Sequence, residues 1–272
     1  MKQTHLDVLF VPAKRQKLDA AVTPIPRSPS VVRGMVAVAT YVPNSNPPEM
    51  AGFTSIVIHT SSKPFGGSLS PYQLRDEWGC LLENIWQFAK VYPGVSRPRT
   101  DADEEQLNNV VWERHVDGES GAILPAYWQW RVAGMRNAAA IRYPNGYDGR
   151  RSVLYALWPR DRDRWRSTDV ADYDRLDYIE ARRRIYFGEY ARLAPRVRDF
   201  QVMRQRLLAG ENLLLCEVDG PAHAPSWPLS EIGRHKPGLI INAERLSVLI
   251  NDRRMPFGHG YTLAALLLAV EF

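Results

Sequence analysis

The sequence predicts a fold of mostly helices with a few short strands, in one domain spanning 34–272. Two observations predict it. Stretches with apolar residues at helical spacing outnumber short β-branched runs. No internal repeat and no linker divides the chain once the first 33 residues are passed. The length of 272 residues, 45% apolar and 24% charged, is ordinary for a soluble globular protein with a sizeable core.

The elements follow in order. Residues 1–33 read as a disordered basic tail, with Pro24, Pro26 and Pro29 and no periodicity. Within it, Lys14-Arg15-Gln16-Lys17 resembles a nuclear import signal. The β-branched residues of 35–42 and of 54–60 read as strands, and 61–71 as a Gly/Ser/Pro loop. A helix is expected over 81–92, ended by Pro93-Gly94. Acidic 101–106 opens a helix or a surface loop. A helix over 127–140 carries Trp128, Trp130 and Met135, and 143–170 reads as irregular. Leu176, Ile179, Tyr186 and Tyr190 predict a long helix over 172–192; Phe200, Met203 and Leu207 predict another over 199–209. A buried strand at 213–218, a Gly/Pro loop at 219–238, and helices at 242–250 and 261–270 complete the chain.

Charge and composition narrow the function classes. No apolar run is long enough for a membrane-spanning helix, and the N-terminus lacks the layout of a secretory signal. Cys80 and Cys216 fit neither a disulfide scaffold nor a zinc site, and the six histidines have no ligand spacing, so no metal or cofactor is implied. An intracellular chain, cytoplasmic or nuclear, is expected. The net charge of +5 is uneven. Residues 1–52 hold six Lys/Arg against three Asp/Glu, and 150–206 hold fifteen against nine. Because Asp is interleaved through the Arg-rich segment, a salt-bridged helix face is favoured over a nucleic-acid surface there.

The helix over 81–92 carries the most information. Leu82, Ile85, Trp86 and Ala89 form an apolar stripe, while Glu83, Gln87 and Lys90 stand at i, i+4 and i+7 on another. A buried carboxyl moves protons, and a desolvated amine is a nucleophile. A solvated helix face is the commoner meaning of that spacing. The preceding loop holds Ser61, Lys63, Gly66, Gly67 and Ser70, whose hydroxyls, amine and backbone N–H groups suit a phosphate.

Phe65-Gly66-Gly67, Leu69-Ser70-Pro71-Tyr72, Gly79 and Glu83-Asn84-Ile85-Trp86-Gln87-Phe88-Ala89-Lys90 together resemble the N-terminal signature of the NADAR (NAD- and ADP-ribose-associated, YbiA-like) family. Leu207-Leu208-Ala209-Gly210 leading to Glu217, and Gly258-His259-Gly260-Tyr261-Thr262-Leu263, resemble its C-terminal blocks more loosely. Pro71 stands where the family has Asn, and Asn84 where it has His. The resemblance implies a compact, mostly helical α+β domain that binds ADP-ribose and cleaves an N-glycosidic bond. The substrate implied is ADP-ribosylated guanine in DNA or RNA; that chemistry would use Glu83 as acid/base and Lys90 either as a Schiff-base nucleophile or only as a cation binding the ribose or a phosphate. A ribosylamino pyrimidine of riboflavin synthesis is the alternative substrate. A non-catalytic ADP-ribose or nucleic-acid-binding module is the alternative of another class.

Further residues are candidates for ligand contact. Trp86 and Trp130 would stack on a base if they were not core, and Arg142 and Tyr143 would reach a phosphate and a ring. Glu180 is a second carboxylate, or the partner of Arg183 or Arg184. Asp219 would bind ribose hydroxyls or form a turn, and His259 with Gly260 would touch ligand from a glycine-flanked loop. Neither a membrane nor an obligate protein partner is implied.

Overall fold

The computed structural model describes residues 32–58, 65–98, 110–218 and 238–272. The basic cluster at Lys14–Lys17, acidic 101–106, and Ser61, Lys63 and Asp219 lie outside the described residues. The described chain is a compact α/β fold in which helix outweighs strand.

A mixed four-stranded sheet forms its centre. β1 (Val36–Thr40) and β2 (Thr54–Val57) flank β8 (Leu213–Glu217) in parallel, and β9 (Leu239–Ile240) runs antiparallel along β1. The register places Val36 opposite Leu213, Thr40 opposite Glu217, and Val57 opposite Cys216. Every residue of β8 is buried, as its unbroken Leu-Leu-Leu-Cys run requires of a parallel strand flanked on both sides. Packed on this sheet are α6 (Arg198–Leu208), α7 (Ala243–Asn251) and α8 (Gly258–Leu267), with Val38, Leu215, Met203, Leu249 and Leu263 in the main core.

A second core surrounds α1 (Leu82–Phe88), with Ile85, Phe88, Met135 and Ile185 buried in it. It lies against α2 (Pro125–Met135) and an antiparallel sheet of β3 (Lys90–Val91), β6 (Tyr155–Pro159) and β7 (Tyr173–Leu176). A hairpin of β4 (Gly94–Pro98) and β5 (Val110–Arg114) stands apart in register from both sheets.

Several boundaries correct the sequence expectations. The helix expected over 172–192 is a strand followed by a helix. Asp177 ends β7 and caps α4 (Tyr178–Ala181), accepting from the N–H groups of Ile179 and Glu180, while Glu180 reaches back to the Asp177 N–H. This reciprocal cap forces the chain out of helix before Tyr178. The helix continues through a π turn (Arg182–Phe187) into α5 (Gly188–Leu193). The stretch expected to be irregular contains β6, whose Ala156 and Leu157 are buried between β3 and β7. α1 stops at Phe88, short of Tyr92, because Lys90 and Val91 pair with Ala156 and Tyr155.

The Arg-rich segment is consumed internally, as its interleaved Asp residues suggest. Arg162 and Arg192 both bind Glu77 and Glu189, and Arg160 and Arg184 share Asp174. Arg182 is buried and donates to the carbonyls of Leu249, Ile250, Asp252 and Met255, which closes the C-terminus of α7. Cys80 and Cys216 are separate buried thiols, and burial pushes them up to about 12 and about 11. No helix among the described residues is long and apolar enough to cross a membrane.

Candidate functional site

The polar stripe on α1 is buried. Glu83 and Gln87 are 6% and 7% exposed, and Lys90, just past the helix, is half-buried. The Gln87 amide joins the other two. Its Nε2 donates to Glu83 Oε1 at 2.8 Å, and its Oε1 accepts from Lys90 Nζ at 2.6 Å. Lys90 Nζ also sits 4.5 Å from the centre of the Trp86 ring, which is the floor beneath the amine. Ending α1 at Phe88 thus leaves the stripe intact, because Lys90 turns back onto Gln87 from the first residue of β3.

Burial sets the protonation of this trio. Burial raises the Glu83 carboxyl above its usual range, opposed by the Gln87 hydrogen bond and by the charges of Lys90, Arg142 and His259. Burial pushes the Lys90 amine down to about 8, opposed by the charge of Glu83. Burial thus favours the uncharged form of both the acid and the amine, and one amide holds the two in place.

The carboxyl ends of the parallel strands supply further polar groups near Glu83. Glu217 closes β8 and is 3% exposed. His259, in the first turn of α8, has Nε2 at 2.6 Å from the Ile58 carbonyl and Nδ1 at 3.2 Å from Glu217 Oε2. A carbonyl only accepts, so Nε2 is the nitrogen that carries a hydrogen, and Nδ1 is turned to the carboxylate. The Gly260 N–H also donates to Glu217 Oε2. Glycine is required there, since a Cβ would stand 2.8 Å from that oxygen. The crevice outside the carboxyl ends of parallel strands is the usual ligand position in α/β sheets. Tyr186 completes the group. Burial raises its hydroxyl well above the ordinary value, and the nearby Glu83 and Glu217 raise it further. Its ring meets Trp86 edge-on at 5.5 Å.

The structure therefore brings Glu83, Trp86, Gln87, Lys90, Arg142 and His259 into one electrostatic neighbourhood with Gly260 beside it. Tyr186, Glu217 and Asn84 belong to it as well, and the sequence argument did not select them. Tyr186 fits the apolar periodicity of its helix, which hides a polar role. Asn84 is fully buried. Its Oδ1 accepts from the Ile141 N–H at 2.8 Å, and its Nδ2 donates to the carbonyls of Asn137 and Ala139 at 3.0 and 2.9 Å. It ties the segment that carries Arg142 and Tyr143 to the helix that carries Glu83. Replacing Asn84 by Ala is expected to cost about 1–3 kcal/mol, because a fully buried amide loses its hydrogen bonds to three backbone groups. Urea unfolding of the variant measures this.

Other candidates take structural positions. Gly66 has φ +95°, and its N–H donates at 3.0 Å to Asp199, which also accepts from Ser68. The glycine donor expected to cradle a phosphate is thus occupied by a side chain at the start of α6. A Cβ on Gly66 would stand 2.8 Å from the Val57 carbonyl, so Gly66→Ala is expected to destabilise the fold by about 1–3 kcal/mol in the same unfolding measurement. Gly67 is buried and begins a short 3-10 turn. Ser70 is fully buried and accepts from the Tyr72 N–H, shaping the turn before α1 rather than facing a ligand. Trp130 packs against Phe88 at 4.6 Å and His115 at 4.8 Å in the core. Glu180 is exposed and forms the α4 cap, so it is neither a second site carboxylate nor the partner of Arg183 or Arg184. Those two bind Asn251 and Asp174 instead. A small cavity lined by Asp76, Trp78, Cys80, Ile85, Arg131 and Trp165 lies on the apolar side of α1, and no residue of the polar stripe lines it. No family model, no curated protein and no solved structure matches this chain.

Proposed function

We propose that the protein is an N-glycosidase that removes ADP-ribose from ADP-ribosylated guanine in DNA or RNA. The observation that carries this reading is the buried Glu83–Gln87–Lys90 relay, with its carboxyl held up and its amine held down. A ribose whose C1″ bears an exocyclic amine opens more readily than an ordinary nucleoside, because the amine nitrogen can donate electrons to C1″. Glu83 gives a proton to the ring oxygen as the C1″–O bond breaks, and C1″ becomes an iminium. The neutral Lys90 amine adds to C1″. Its proton passes to the departing guanine amine by way of Glu83, and the C1″–N bond to guanine breaks. The sugar is then held on Lys90 as an imine, and water releases it and restores the free amine.

The Arg142 guanidinium near Glu83 favours an anionic ligand such as a pyrophosphate. Tyr186 and Trp86 offer a hydroxyl and a ring face to the sugar. The reading is tested by incubating the protein with an ADP-ribosylated guanine oligonucleotide and, separately, with a ribosylamino pyrimidine. Release of free ADP-ribose from the first supports it. Turnover of the second alone would assign the alternative substrate, and binding without release would make the protein a reader.

A further inference from the structure

We propose that the segment 141–152 forms a docking ledge for unpaired nucleotides flanking the reacting base, so that the substrate strand is single-stranded where it meets the protein. This rests on the nucleic-acid reading above. Tyr143 and Tyr147 meet edge to face at 5.3 Å, and Tyr147 is 59% exposed. The Arg142 guanidinium lies 5.1 Å from the centre of the Tyr143 ring, and that of Arg150 lies 3.4 Å from the centre of Tyr147. Arg151 follows and is exposed. Exposed aromatic rings interleaved with guanidinium groups bind single strands, because a ring face accepts any unstacked base while the cations follow the phosphates. A duplex offers no free base face to such a ledge.

Three further observations point to a strand rather than a general basic surface. The segment holds three Arg and one acidic residue, Asp148. Arg150 and Arg151 form no ion pair among the described residues, whereas the arginines of 160–192 are mostly taken by Asp and Glu. The ledge is also built rather than loose. Asn84 fixes its start beside Glu83, and the buried Asn145 donates to Ser152 Oγ across its base while Ser152 donates to the Gly149 carbonyl. Arg142 is close enough to stabilise the Glu83 carboxylate, so the ledge begins at the rim of the site.

The test uses fluorescence anisotropy of the full chain with an unmodified single-stranded 12-mer, the matching duplex, and ADP-ribose as a separate ligand. Wild type should bind the single strand more tightly than the duplex. Tyr147→Ala should weaken single-strand binding about tenfold. The double variant Arg150→Ala/Arg151→Ala should reduce the slope of log affinity against log salt by about 1.4. ADP-ribose affinity should be unchanged in both, and a melting curve checks that these surface substitutions leave the fold intact. The proposal is overturned if wild type ignores the 12-mer, if it prefers the duplex, or if the variants bind the 12-mer like wild type. It is equally overturned if they lose ADP-ribose affinity instead, which would make the ledge the seat of the ligand's own adenine. ADP-ribose release from a modified mononucleotide is scored in parallel. Release that persists while the ledge predictions fail discards the ledge and keeps the glycosidase reading.

Discussion

Glu83→Gln should lower ADP-ribose release from an ADP-ribosylated guanine oligonucleotide by about 10³-fold, within the usual range for loss of a general acid–base group. The amide keeps an oxygen for the Gln87 Nε2 hydrogen bond, so ADP-ribose affinity and the melting temperature should change little. The pH dependence gives a sharper check. The reaction needs the Lys90 amine neutral and the Glu83 carboxyl protonated at once, so release by the wild type should pass through a maximum bounded by the two titrations, that of Lys90 at about 8. The Glu83 charge holds the Lys90 proton on, and removing it lets the proton leave more easily. The residual activity of Glu83→Gln should therefore lose its falling limb and rise with a midpoint below about 8. A limb at unchanged or higher pH would show that the two groups do not communicate.

Lys90→Arg should abolish release, with a loss of 10³-fold or more, while retaining ADP-ribose binding. Arginine preserves the cation but stays protonated in proteins and offers no nucleophile. If Lys90 served only as a charge against ribose or phosphate, Arg would preserve much of the activity, so the substitution separates the two roles. Stability supplies an independent measure. The amine titrates near 8 in the fold and at 10.5 normally, so its charged form disfavours folding, fully so below about pH 8. That penalty fades as pH climbs from about 8 to 10.5. Wild type should gain stability relative to Lys90→Met across that window, measured by thermal melts at stepped pH.

What was legible in the sequence followed from local spacing. Glu83 and Gln87 share a helical face because of the 3.6-residue repeat, and Lys90 stays within reach even though α1 ends early. The same repeat misled at 172–192, where Leu176 belongs to a strand and Asp177 restarts the helix. Apolar spacing alone did not reveal the cap that separates them. Gly66 was legible as a backbone N–H donor, but its hydrogen-bond partner, Asp199, is 133 residues away. The glycine therefore reads locally as a ligand loop when it closes a tertiary contact. The Glu217–His259 pair escaped for a related reason. His259 was a candidate and Glu217 was not, and the pair exists only because parallel β2 and β8 end beside the first turn of α8. Tyr186 shows the remaining difficulty: its position is set by core periodicity, while the charges of Glu83 and Glu217 act on its hydroxyl.

The most direct test of the reacting centre is borohydride reduction during turnover, followed by peptide mapping. The mechanism predicts an ADP-ribose adduct on Lys90, formed by wild type and absent in Lys90→Arg. Active enzyme that yields no adduct under reduction, or an adduct that maps to another lysine, would contradict it.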